Sequence, residues 1–93
     1  MRNLNEARAA IHSKHPEARV EVSKRAGKRF RVKLPGERPV DFGLWPYSGQ
    51  GTFLDHGNEE LRRNWTARHR AQGLRDGTWN NTKSARYWSR FLW

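Results

Sequence analysis

Between Ala18 and Gly43 the hydrophobic period of the chain is two, and no other stretch restricts the fold as much. Val20 and Val22 alternate with charged residues. Phe30, Val32 and Leu34 alternate with Arg29, Arg31 and Lys33, and Val40 and Phe42 repeat the pattern. Successive side chains on a strand point to opposite faces, so each run reads as a half-buried antiparallel strand, apolar inward and basic outward. Arg25-Ala26-Gly27-Lys28 and Pro35-Gly36-Glu37-Arg38 separate the runs, and Gly and Pro-Gly punctuate turns. The expectation is a three-stranded meander with one face rich in arginine and lysine.

Helices are expected on either side. Asn3 to Lys14 carries a narrow apolar stripe of Leu4, Ala7, Ala10 and Ile11, with Asn3 or Asn5 as cap and Pro16 as stop. Residues 1–17 therefore read as an N-terminal helix or arm, and 18–93 as one small α+β domain. A central helix runs from Asp55 to Gly73. Asn58 is its N-cap, Glu59 and Glu60 suit the positive end of the helix dipole, and Gly73 supplies the stop. Leu61, Trp65, Arg68, His69 and Gln72 share one face, while Arg62, Arg63 and Arg70 point elsewhere.

The loop from Gly43 to Gly57 holds Trp45, Tyr47 and Phe53, which are expected to fold back over the core. Trp79 reads as a plug in a polar turn. Ser84 caps a last helix, with Trp88 and Leu92 inward and Tyr87 and Phe91 as a flanking stripe. The fold class is α+β: short N-terminal helix, three-stranded antiparallel meander, central helix and C-terminal helix. With 34% hydrophobic residues the core is lean, and five Trp residues compensate, each ring burying roughly 150–250 Å². Trp65, Trp88, Phe42 and Phe30 are expected in one cluster.

The net charge is +10 on 93 residues. Such a chain attracts polyanions, be they nucleic acid, acidic protein or an anionic membrane surface. Lys24, Arg25, Lys28, Arg29, Arg31 and Lys33 cluster on the hairpin; Arg62, Arg63, Arg68 and Arg70 cluster on the central helix. All of these except Arg68 are taken as the polyanion- or partner-binding residues. Arg86, Tyr87, Arg90, Phe91 and Trp93 are taken as a partner interface. No cysteine is present, no apolar run reaches membrane-span length, and the first residues lack a signal-peptide core. The four histidines do not converge as zinc ligands, and no Ser, Asp or Glu pattern suggests catalysis. No enzyme activity, metal or cofactor is expected, and His56 and His69 are read as structural.

Taken in order, Gly27-Lys28-Arg29-Phe30, Val40-Asp41-Phe42-Gly43, Thr52-Phe53-Leu54-Asp55-His56, Arg62 to Trp65, Arg68-His69 and the closing Tyr87-Trp88-Ser89-Arg90-Phe91-Leu92-Trp93 resemble a family of small basic proteins. That family is encoded by large double-stranded DNA viruses of algae and protists and by some phage-like genomes. The likeness spans Gly27 to Trp93. Phe91 stands where a Trp is usual, and the loop from Trp45 to Gly51 departs from the usual pattern. The resemblance implies a virion-associated protein, made in the host cell interior and bound to capsid or other virion proteins. It brings no established activity. The functional expectation is a minor capsid or cement component that bridges larger virion proteins; the alternative is a sequence-tolerant nucleic-acid-binding protein that coats or packages the genome.

Overall fold

The computed structural model describes residues 3–46, 49 and 51–93. Its order is α1 (Leu4–His12), β1 (Arg19–Val22), β2 (Lys28–Lys33), β3 (Val40–Leu44), α2 (Phe53–His56), α3 (Glu59–Asp76) and α4 (Ala85–Ser89), closed by a 3₁₀ turn at Arg90–Leu92. The three strands form an antiparallel meander in the order β1-β2-β3. Val20 stands opposite Val32, Val22 opposite Phe30, and Phe30 and Val32 opposite Phe42 and Val40. The α+β architecture read from the sequence is therefore the observed one.

The apolar sheet face packs on α1 and α4. Ala7 and Ile11 from α1 join Val20, Phe30, Val32 and Phe42 from the sheet and Tyr87, Trp88 and Leu92 from the C-terminal segment in one buried cluster. Trp88 is fully enclosed, and its indole Nε1–H donates to the Thr82 carbonyl at 2.6 Å. The N-terminal stripe thus builds a docked helix rather than an arm. Asn3 precedes α1 without a side-chain cap; its amide donates instead to Asp55 at 2.9 Å.

Three local expectations need correction. Trp65 is buried but lies outside the main cluster: it stacks on His69 at 4.3 Å and on Trp93 at 5.5 Å between ring centroids. Gly73 does not stop the central helix, which continues to Asp76 and ends at Gly77 in the left-handed conformation. Gly73 is inside the helix because a Cβ there would lie 2.9 Å from Trp79 Cβ; it serves close packing, not termination. The stretch expected as one helix from Asp55 is also split: Phe53–His56 forms a separate turn, α2, ended by Gly57, and α3 begins at Glu59. Of the loop aromatics, Tyr47 lies outside the described residues.

The N-caps of the central and last helices are the expected ones. Asn58 accepts from the Glu60 and Leu61 amides at 3.0 and 3.3 Å, and Ser84 accepts from the Arg86 amide at 3.2 Å. Trp79 is a plug, 9% exposed.

Candidate nucleic-acid interface

Register decides what each hairpin cation can do. Arg19 and Glu21 on β1, with Ser23 just after it, share the non-core face with Lys33, Arg31 and Arg29 on β2 and with Asp41 on β3. That face divides into three parts.

At one end Arg29 is fully buried, with its guanidinium against the Asp55 carboxylate in two hydrogen bonds of 2.8 Å. Asp55 also accepts from the Thr52 backbone amide at 2.8 Å and the Thr52 hydroxyl at 3.0 Å. Gly51, at φ +79°, allows this: a Cβ there would meet Asp55 Oδ2 at 2.6 Å. Burial pushes the Asp55 carboxyl up, but the hydrogen bonds from Arg29 and Thr52 outweigh it and hold the group down at about 2. Arg29 is therefore an internal counter-ion, not a polyanion ligand. A buried cation without a partner is prohibitively costly, and Asp55 is that partner.

In the middle Arg31 donates to Asp41 at 3.0 Å through Nε, and the Ser23 hydroxyl donates to the same carboxylate at 2.6 Å. The Arg31 hydrogen bond is the main cause that lowers Asp41 below the usual carboxylate range. Arg31 is half-buried and committed, so it too leaves the set of free cations.

At the other end Lys33 and Arg19 are both exposed and stand directly opposite each other. Like charges across a strand pair are destabilising. Lys24 and Arg25, in the turn, are exposed as well, and Lys28 is half-buried.

Helix α3 carries the larger basic surface. Only Trp65 and Gly73 of its 18 residues are buried. Arg63 and Arg70 form one row at a spacing of seven, Arg68 and Arg75 a second, and all four are exposed. Among the described residues none of the four has a carboxylate within ion-pair reach. Arg62 is exposed too, but covers the Phe53 ring at 4.6 Å and lies 3.8 Å from Glu59. Arg68 and Arg75 were visible in the sequence as charges. Arg75 enters the row because α3 runs past Gly73, and Arg68, expected on the face shared with Trp65, is exposed.

The expected C-terminal interface is largely internal. Tyr87 is buried at 6% exposure, and burial raises its hydroxyl pKa. Arg90 lies over the rings of Trp79 and Tyr87 at 4.0 and 4.7 Å and donates to the Trp79 carbonyl. Arg86 donates to Asp76 at 2.8 Å and to Thr78 Oγ1 at 2.9 Å. Neither arginine forms the open polar rim expected of them. Phe91 and Trp93 remain half-exposed.

A cleft of about 460 Å³ opens between the sheet end, α3 and α4. Leu44, Trp65, His69, Leu92 and Trp93 give it apolar and aromatic walls, and Lys28 and Arg86 line it with charge. Burial first, then Arg86 and Arg68, push His69 below its ordinary 6.5, so the ring is neutral at neutral pH. Its Nδ1 and His56 Nε2 are buried without hydrogen-bond partners among the described residues, while His56 Nδ1 accepts from the Asn58 amide at 2.9 Å. Among those residues no His, Cys, Asp or Glu group is placed to hold a metal ion, and no helix is long and apolar enough to cross a membrane.

The fold and this surface define a small α+β domain with a basic helix and a basic strand end. The chain belongs to the family of unknown function DUF5754, which it matches over residues 18–69. That span takes in the meander, α2 and α3 as far as His69. No curated protein and no solved structure matches the chain.

Proposed function

We propose that this protein is a sequence-tolerant nucleic-acid-binding protein whose main contact is the outer face of α3. The observation that supports this reading most strongly is the double row of Arg63, Arg70, Arg68 and Arg75, exposed and without carboxylate partners among the described residues. The carboxylates of Asp41, Asp55 and Asp76 are spent on Arg31, Arg29 and Arg86 of the fold itself, Asp76 at the surface. The net charge of +10 remains once every carboxylate is counted. Arginines in such rows grip phosphates by geometry and charge, with no reading of bases. The opposed Arg19 and Lys33 add a second place where a polyanion would relieve repulsion.

Fluorescence anisotropy of a labelled duplex, titrated with protein at several salt concentrations, tests the reading. Four phosphate contacts give a log–log slope near −3.6, so affinity should fall about 100-fold between roughly 50 and 200 mM salt. Arg63→Glu with Arg70→Glu should flatten the slope by about two units. Salt-independent binding, or no binding at about 50 mM salt, refutes the reading.

A second reading keeps the bridging role between larger virion proteins. It is favoured by the half-exposed rings of Phe91 and Trp93 and by Leu74, 52% exposed on α3. Under it, Phe91→Ser lowers the protein's abundance in purified particles by more than it lowers thermal stability. Equal loss of both would assign Phe91 to the fold alone.

A further inference from the structure

We infer that the cleft between the sheet end, α3 and α4 is a pocket for one unstacked base of a single-stranded nucleic acid. This rests on the nucleic-acid reading and narrows it to a substrate class. Three properties of the cleft carry the inference.

The first is its walls. Trp93 and Leu44 are accessible at the cleft, Leu44 at 56% exposure, and Trp65 and Leu92 close the floor. An aromatic face with an aliphatic neighbour suits a flat heterocycle, since every base has a π-face to stack. The second is charge. Among the described residues Lys28 and Arg86 line the cleft and no acidic side chain does. Arg86 is already held by Asp76, whereas Lys28 makes no ion pair among the described residues. Lys28 and Leu44 are cross-strand partners, so a cation and an apolar contact are presented side by side. A base carries its charge on the adjoining phosphate, and this juxtaposition matches that arrangement. The third is size. At about 460 Å³ the cleft falls within the usual small-ligand range, roughly 300–1,000 Å³, and has room for a nucleotide but not for a duplex.

The cleft also adjoins the basic helix, because Trp65 and His69 belong to α3. A strand tracking the arginine rows could therefore leave one base in the cleft. Base–aromatic stacking then makes a base-bearing strand bind roughly 5- to 150-fold tighter than an abasic strand with the same number of phosphates.

The experiment compares a labelled oligothymidylate with an abasic oligomer of equal length, using anisotropy and tryptophan emission. Wild-type protein should prefer the base-bearing strand by that factor, with quenching of tryptophan emission. Leu44→Gln, a change at an exposed position that alters no charge, should remove most of the preference and leave abasic binding as it was. Equal affinity for the two strands overturns the pocket but leaves phosphate binding standing. A preference that survives Leu44→Gln also overturns it. Absence of binding to either strand overturns the pocket, and only absence of duplex binding as well overturns the nucleic-acid reading. A third arm uses an acidic peptide with a central Trp: Leu44-dependent binding of that peptide, without any base preference, would assign the cleft to a protein partner and overturn the inference.

Discussion

Replacing Asp55 with Asn tests the most concentrated interaction in the fold. Asn keeps the size and an oxygen for the Thr52 amide, but removes the charge that faces Arg29. The Arg29 and Asp55 side chains are 0% and 4% exposed, so the loss is barely screened by solvent. Breaking a buried ion pair by removing one partner costs about 3–5 kcal/mol. A domain of this length has a total stability of roughly 5–14 kcal/mol, so Asp55→Asn should take away a large share of it. Arg29→Met alone should also destabilise. The double variant should lose less than the two single losses combined, because neither charge is then left alone. Urea unfolding followed by tryptophan emission gives all the values. Acid titration supplies an independent check. The folded Asp55 value, about 2, is below the ordinary 3.8. The pair's stabilisation is therefore complete above about pH 4 and is lost as pH falls towards 2. The difference is worth about 2 kcal/mol, and Asp55→Asn should lack that part of the acid dependence. A cost below about 1 kcal/mol for Asp55→Asn, with additive single variants, would show that Arg29 is hydrated and that the pair does not hold α2 to the sheet.

Gly73→Ala should destabilise despite the higher helix propensity of alanine: about 1 kcal/mol of propensity is outweighed by roughly 1–3 kcal/mol of overpacking against Trp79, and a raised urea midpoint would show that α3 is not pinned there. His69 titrates below 6.5, so the unfolded chain binds its proton first and stability falls as pH drops through that value. His69→Gln should flatten this part of the pH profile, and an NMR titration placing His69 at or above 6.5 would contradict the burial that depresses it.

The strands were legible because alternation of two and the Pro-Gly turn leave little choice of register face. Val20, Phe30, Val32 and Phe42 all point where the pattern sends them. Caps were legible for the same local reason, as at Asn58 and Ser84. Arg29 was not, because its partner Asp55 lies 26 residues away and belongs to a short turn with no hydrophobic period. A basic residue on a polar face looks the same in sequence whether it meets water or a carboxylate. Gly73 misled for a related reason: a glycine near a helix end and a glycine under a tryptophan have one spelling. The arginine rows on α3 were half legible, since the charges were evident but the length of the helix was not.

Trp65 and Gly73, the two buried points of α3, are eight positions apart on one side, about 12 Å along the axis. A rod resting on two supports cannot tilt about either without lifting from the other. Load applied to the arginine rows, which flank these two points on either side, is therefore carried into Trp65 with Trp93 at one support and into Trp79 at the other. The indoles are strain gauges for a surface they do not touch. Their emission should register an occupant of α3 whose chemistry leaves no chromophore of its own.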